Sequence, residues 1–203
     1  MEDPQGRCGE LADFTRQAIV ATFKKLLKER GNLTVKNITD ICDISRNTFY
    51  YHYDSLPALL QSELVLWFAD CRDNGAASLS ECMAPFVRAI TSHKTEILHI
   101  CSSSYIEVYM KFTSSLVRET VMSCAGRLLA ASGATPVQAQ VMAMFCASYL
   151  RLVFSDWVGG GMVYDVTASI AALDGMLSRD RLAEMSDDDL RGLIDGLGKS
   201  LYL

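Results

Sequence analysis

The 203-residue chain has only four prolines and three histidines, and no two of its seven cysteines stand in a C-x-x-C spacing. An odd number of widely spaced cysteines is typical of reduced, mostly buried thiols, and it argues against a disulfide framework or a zinc site. The histidines lack an H-E-x-x-H or paired-cysteine context. We therefore expect neither a metal centre nor another bound cofactor.

The sequence also lacks an uninterrupted apolar run of the roughly 18–20 residues that cross a bilayer. The apolar stretch 134–161 carries Gln138, Gln140, Arg151 and Asp156. The first residues, M-E-D-P-Q-G, are polar and acidic, whereas a secretory leader begins with basic residues. We expect a cytoplasmic protein with no membrane partner.

Charge is distributed unevenly along the chain. Half of the residues are hydrophobic, enough for a sizeable core, and the formal net charge is −5. Residues 14–56 hold seven Lys and Arg against four Asp and Glu, a net charge of +3, while the segments on both sides are acidic. This asymmetry is typical of a small module that meets an anion, attached to a larger body that does not.

The hydrophobic pattern predicts an all-α fold, because almost every segment has helical periodicity and none shows sustained alternation. Two short predicted helices, Val35–Cys42 and Arg46–Tyr53, follow a longer one and are separated by a tight break. Thr34 and Ser45 are good N-caps for them. Two short helices of this kind, held by a preceding longer helix, predict a helix-turn-helix.

The exposed face of the second short helix has a composition suited to DNA. Arg46 can bind guanine through two hydrogen bonds, and Asn47 can do the same for adenine. Phe49 and Tyr53, at i and i+4, are expected to point inward. Hydroxyl and imidazole groups for phosphates, which position a protein without specifying sequence, come from Thr48, Tyr50, Tyr51 and His52. On spacing alone, a purely structural role for the two helices remains an open alternative.

The segment from Val35 to Leu60 closely resembles the N-terminal signature of the TetR family of bacterial transcriptional regulators. The matching core, I-S-R-N-T-F-Y-Y-H-Y, is followed by an aspartate and a Leu-Leu pair, and the resemblance covers about residues 14–62. It implies a three-helix DNA-binding domain and a larger helical domain that binds small molecules and dimerises. By position, it implies DNA contacts from Thr34 and Lys36, base reading near Arg46–Thr48, and phosphate clamping by Tyr50, Tyr51 and His52.

The resemblance gives the predicted domain organisation. Residues 10–56 are expected to form the helix-turn-helix DNA-binding domain, residues 57–72 a connecting helix, and residues 73–203 a helical effector-binding and dimerisation domain. One departure concerns the phosphate-gripping lysine that the family commonly has at the start of the next helix. This chain has D-S-L-P at residues 54–57, which is expected to weaken DNA binding by one phosphate contact.

The C-terminal helices are predicted to form a homodimer interface, near residues 136–158 and 166–178. Residues 137–158 are apolar on nearly every face, and a helix that is apolar all round must be buried all round. One face can meet its own core and the other a second subunit. The alternative is a central helix in a monomer. A last helix is predicted after Ser186.

A ligand pocket in the larger domain would be lined by apolar and aromatic groups with a few polar atoms. Each candidate taken alone is more often a core residue than a ligand contact. The candidates are His99, Tyr105, Tyr109, Phe112, Cys146 and Tyr149.

The function predicted from these features is a ligand-responsive repressor that binds a double-stranded DNA operator as a homodimer. The alternative is a TetR-fold activator or co-regulator controlled by a protein partner. The R-N-T-F-Y-Y-H string resembles the branch of the family that activates dihydroxyacetone kinase operons through such a partner. No Ser-His-Asp or Cys-His constellation and no glycine-rich phosphate loop can be placed, so we expect no catalytic activity.

Overall fold

The computed structural model describes residues 4–72 and 75–177, and all regular secondary structure within them is helical. This confirms the predicted all-α class. The predicted helix after Ser186 lies outside the described residues. The helices of the described part are α1 (Pro4–Lys28), α2 (Val35–Cys42), α3 (Arg46–His52), α4 (Leu56–Trp67), α5 (Leu79–Ser92), α6 (Lys94–Cys101), α7 (Ile106–Ala131), α8 (Pro136–Gly159) and α9 (Thr167–Met176).

The described residues form two compact units. The N-terminal unit comprises residues 4–67 and 93–109, and therefore contains α1 to α4 together with α6. The C-terminal unit comprises residues 68–92 and 110–177, with α5, most of α7, α8 and α9. The predicted domain boundaries stay a prediction.

The core of the N-terminal unit forms around α1. Ile19, Phe23, Leu26 and Leu27 recur at helical spacing along this helix, and all four are buried. Helix α1 contacts α2 and α6. The N–H of Gly31 donates to the Leu26 carbonyl at 2.9 Å and ends α1.

Helix α4 is shorter than the predicted connecting helix, since it ends at Trp67 and not near residue 72. The chain turns immediately afterwards, and the N–H of Cys71 donates to the carbonyl of Phe68 at 3.1 Å. Burial on α4 follows the helical repeat, with Leu56, Leu59, Leu60 and Leu64 all inside.

Most of the cysteines whose burial the structure describes are buried, as predicted. Cys71, Cys82, Cys124 and Cys146 are buried, and Cys42 and Cys101 are partly buried. Burial raises the pKa of the Cys71 and Cys101 thiols to about 11, so both stay protonated near neutral pH.

Helix α8 begins at a capping box. The Thr135 hydroxyl accepts from the Gln138 N–H at 3.2 Å, while the Gln138 side chain accepts from the Thr135 N–H at 2.9 Å. Pro136 occupies the first turn, where its missing N–H costs nothing. Helix α8 is long and apolar enough to cross a membrane. Buried core helices of soluble proteins meet the same two criteria of length and composition.

One face of α8 is left exposed within the single chain. Cys146, Leu150 and Trp157 are among its buried residues. By contrast Val137, Met144 and Leu152, which recur about every two turns, are exposed. These three residues form an apolar stripe, beside the exposed Gln140 and Arg151, on which another helix can pack.

The start of α5 is held by a carboxylate from α9. Asp174 accepts from the Leu79 N–H at 2.6 Å, from the Ser80 N–H at 3.1 Å and from the Ser80 hydroxyl at 2.5 Å. A negative charge at a helix N-terminus pairs with unsatisfied N–H groups and with the helix dipole. This contact fastens α9 to α5 inside the C-terminal unit.

Asp174→Asn is therefore expected to lower the free energy of unfolding by about 1–3 kcal/mol, because it removes the charge from these hydrogen bonds. Urea unfolding followed by circular dichroism measures the change. The control is Asp40→Asn on α2, an exposed carboxylate whose replacement should cost no more than about 0.5 kcal/mol. Equal stability of the two variants would contradict the role given to Asp174.

Candidate nucleic-acid interface

Helix α2 begins at the cap predicted from the sequence. Thr34 is extended, with φ −136° and ψ 151°, and its hydroxyl accepts from the Asn37 N–H at 3.1 Å. The Asn37 side chain donates in turn to the Asn32 carbonyl at 2.9 Å. The hydroxyl of Thr34 thus already serves the helix end, while Lys36, one residue inside α2, is exposed.

A tight turn joins α2 to α3. Asp43 adopts a left-handed conformation with φ 51° and donates its N–H to the Thr39 carbonyl. The N–H of Ile44 also donates to Thr39, at 3.0 Å. The Ser45 hydroxyl then accepts from the Thr48 N–H at 3.0 Å and starts α3. Local capping therefore fixes where both helices begin.

Helix α3 turns its apolar side inward. Phe49 is fully buried and Tyr53 nearly so, and their ring centroids are 6.1 Å apart. The Arg16 side chain of α1 donates from Nε to the Tyr53 hydroxyl at 3.3 Å. These contacts hold the inner face of α3 in the N-terminal unit.

The outer side of α3 carries the predicted DNA-binding residues. Arg46, Asn47, Tyr50 and Tyr51 are exposed, and Tyr51 is 79% exposed. Thr48 and His52 are partly buried, and the His52 ring packs edge-on to Tyr51 at 5.1 Å. The first turn of α3 thus presents a guanidinium and an amide, and the later turn presents hydroxyl groups and an imidazole.

Residues 54–57, where the sequence predicts one phosphate contact fewer, lie just beyond α3. Asp54 is exposed, and the Ser55 hydroxyl accepts from the Ala58 N–H at 3.2 Å to cap α4. Residues 54–57 thus include a helix cap and no lysine, and the expected loss of one phosphate contact stays a prediction.

Three of the predicted ligand-pocket residues lie in the N-terminal unit. His99 on α6 donates from Nδ1 to the Leu27 carbonyl at 3.1 Å, since a carbonyl can only accept. The Tyr105 hydroxyl donates to the Leu33 carbonyl at 3.2 Å. Tyr109 is buried, and burial raises the pKa of its hydroxyl well above the usual range. The first hydrogen bond ties α6 to the end of α1, and the second ties the turn after α6 to the loop between α1 and α2.

The other three candidates lie in the C-terminal unit. The rings of Phe112 and Phe68 are 5.9 Å apart, and Tyr149 stacks on Phe145 at 6.3 Å. Cys146 is buried, which raises the pKa of its thiol to about 12. The six candidates are thus divided equally between the two units, and the ligand pocket stays a prediction.

A stacked pair of rings lies beside α6. His93, just before this helix, stacks on Trp67 with centroids 4.2 Å apart and planes at 8°. Burial lowers the pKa of His93 below its usual value because it disfavours the charged ring. Lys24 and Lys28 lower the pKa further, while Glu96 and Glu63 oppose them.

His93 should therefore make the protein less stable in acid. The imidazole of His93 binds a proton more readily in the unfolded chain than in the folded one. The neutral ring therefore contributes its full stability above about pH 6.5, and this stability is lost as the pH falls. Urea unfolding at about pH 7.5 and pH 5.5 should show a larger loss for the native chain than for His93→Phe, which keeps an aromatic ring on Trp67. The same loss in both proteins would contradict this pKa direction.

One feature of the N-terminal unit was missed by sequence reasoning, a cleft of about 640 Å³ between α1 and α4. None of the six ligand-pocket candidates lines it. The signal in the sequence was Glu63, a charged residue among the buried leucines of α4. Within the described part of the chain, no cluster of three or more His, Cys, Asp or Glu side chains is placed to hold a metal ion.

No protein-family model matches the chain, and no curated protein matches it. The features of the chain that bear on its function are the residues and geometry of α2 and α3, the charge distribution, and the exposed surfaces of each unit.

Proposed function

We propose that this chain is a TetR-like transcriptional regulator that binds double-stranded DNA as a homodimer and acts as a ligand-responsive repressor. The observation that carries the proposal is the exposed face of α3, where Arg46 and Asn47 precede Tyr50 and Tyr51. A buried Phe49 holds that face outward. The proposal places the protein in the cytoplasm and assigns it no catalytic activity.

Charge favours α3 as the DNA-contacting element. The segment that contains α2 and α3, residues 14–56, has a net charge of +3 from its seven Lys and Arg and four Asp and Glu. DNA phosphates attract such a segment, and the acidic remainder of the chain is repelled. Insertion of α3 into the major groove would bring its first turn to the base edges.

The apolar stripe on α8 favours a homodimer. Val137, Met144 and Leu152 expose apolar area that a second copy of the helix can cover. A two-fold dimer would present two α3 helices to DNA sites about 34–36 Å apart, one helical turn of the duplex. The predicted contribution of residues 166–178 corresponds to α9, Thr167–Met176.

Arg46→Ala is expected to cost about 1–3 kcal/mol of operator binding and to relax preference at one base pair. Tyr50→Phe, the matched comparison on the same helix, should weaken binding to all sequences about equally, since a phosphate contact carries no sequence information. Affinities for a set of single-base operator variants, measured by fluorescence anisotropy, separate the two effects. A changed base preference for Tyr50→Phe would contradict this assignment of contacts.

Control by a protein partner is the second candidate function. It is favoured by exposed apolar residues of the N-terminal unit, Phe14 on α1 and Val65 and Leu66 on α4. Such a regulator would change its DNA affinity on adding the partner and not on adding a small molecule. Operator binding measured with each in turn distinguishes the two modes.

A further inference from the structure

Glu63 on α4 is an unusual residue to find inside the N-terminal unit. Its side chain is only 2% exposed and lies among the buried residues Leu59, Leu60 and Leu64. Taking a carboxylate out of water is costly unless it is both paired and hydrogen-bonded. A buried charge at this position therefore needs a partner.

Lys24 supplies the opposite charge but not a well-aligned hydrogen bond. Lys24 Nζ lies 2.8 Å from Glu63 Oε2, and the lysine side chain is 44% exposed. Oε2 nevertheless accepts no hydrogen bond of acceptable geometry. At 2.8 Å the lysine compensates the charge of Glu63, but the angles of this contact are poor for a hydrogen bond to Oε2.

The same carboxylate lines the cleft between α1 and α4. The cleft has a volume of about 640 Å³ and is widely open to solvent. Val20, Ala21 and Leu66 give it apolar walls, and Tyr53 lies at the same site. The cleft therefore combines one deeply buried anion with apolar surface.

We propose that this cleft binds a small amphipathic organic cation, with an amidinium or guanidinium group on Glu63 and an apolar body against Val20, Ala21 and Leu66. A planar head with two N–H donors bonds both oxygens of a carboxylate, whereas the lysine ammonium is a single point charge. Lys24 can leave Glu63 without being stranded, because its long flexible stem already reaches solvent.

A cation fits this cleft better than an anion does. Lys24 and Arg16 are the cationic side chains among the residues that line the cleft. The Nε–H of Arg16 already donates to the Tyr53 hydroxyl. Asp13 and Glu63 balance these two charges. An anion would have to compete with Glu63 for Lys24 and would leave a buried carboxylate unpaired.

Calorimetric titration of the full chain, without DNA, tests the site independently of the proposed function. The probes are benzamidine, its neutral counterpart benzamide, and the anion benzoate. We expect benzamidine to bind, and benzamide and benzoate to bind about tenfold more weakly or worse, as the loss of a charge-assisted hydrogen bond predicts.

Three variants locate the binding on the cleft. Glu63→Gln keeps the shape of the side chain and should weaken benzamidine binding about tenfold or more. Leu66→Lys places a positive charge on a wall residue that is 64% exposed and should also weaken it. Val65→Lys is the matched control, since Val65 is its neighbour on α4, is 53% exposed and does not line the cleft.

Melting curves by circular dichroism establish that each variant is folded before titration. Loss of binding in Glu63→Gln and Leu66→Lys with unchanged binding in Val65→Lys supports the site. Equal benzamidine affinity in the native chain and folded Glu63→Gln, preference for benzoate, or no binding of benzamidine at millimolar concentration overturns it.

Discussion

Phe49→Ala is expected to lower the free energy of unfolding by about 3–5 kcal/mol, as large-to-small changes at fully buried aromatic positions do. The Phe49 ring has no exposed area and contacts the rings of Tyr50 and Tyr53. Alanine would leave a cavity beneath α3, a helix of only seven residues whose position depends on packing. The loss of stability should therefore be accompanied by loss of DNA binding.

Tyr51→Ala is the matched control for this prediction. Tyr51 lies on the same helix but is 79% exposed. Its replacement should leave stability within about 0.5 kcal/mol and still weaken DNA binding. Urea unfolding and operator titration on both variants separate the two roles. An unfolding free energy as low for Tyr51→Ala as for Phe49→Ala would show that the inner and outer faces of α3 are assigned wrongly.

Leu152→Glu is expected to convert a homodimer into a monomer and to lower operator affinity about 10²–10⁴-fold. Leu152 is 58% exposed in the single chain and lies on the apolar stripe with Val137 and Met144. A glutamate there would bury an unpaired charge in the interface. With the dimer lost, binding of the second half-site is no longer intramolecular, which accounts for the size of the effect.

Sedimentation equilibrium gives the mass of each variant, and anisotropy gives its affinity for DNA. Val163→Glu is the control, because Val163 is equally apolar and more exposed but lies in the loop after α8. It should remain a dimer with native affinity. A native chain that is monomeric, or a Leu152→Glu variant that stays dimeric, would contradict the interface proposed on α8.

The short helices could be predicted from the sequence because their ends are determined locally. The predicted Val35–Cys42 agrees with α2 at both ends, and the structure confirms Thr34 and Ser45 as N-caps. Each cap requires only a side chain and an N–H three residues later. The inward direction of Phe49 and Tyr53 likewise follows from their i, i+4 spacing.

Contacts between distant segments could not be predicted in this way. No periodicity indicates that Lys24 on α1 pairs with Glu63 on α4, although that pair defines the cleft. The hydrogen bonds from His99 to Leu27 and from Tyr105 to Leu33 each join residues 72 positions apart. His99 and Tyr105 were predicted as pocket residues because the sequence shows the chemistry of their side chains. It does not show that Leu27 and Leu33 are their hydrogen-bond partners.

The end of α4 at Trp67 could not be predicted from the hydrophobic pattern either. The apolar pattern of this helix continues through Phe68 and Cys71, both of which are buried. Burial alone does not distinguish a continued helix from a turn that buries the same side chains. The hydrogen bond from the Cys71 N–H to the Phe68 carbonyl shows that the chain has turned.

A fluorescence-anisotropy titration tests the claim that α3 binds DNA. The purified protein is titrated against its own upstream intergenic DNA and against a scrambled duplex of the same length, each at two salt concentrations. We expect tighter binding to the upstream DNA by a dimer, with an affinity that falls as salt rises, because phosphate contacts release counterions. Absence of binding to both duplexes even at low salt would contradict the claim.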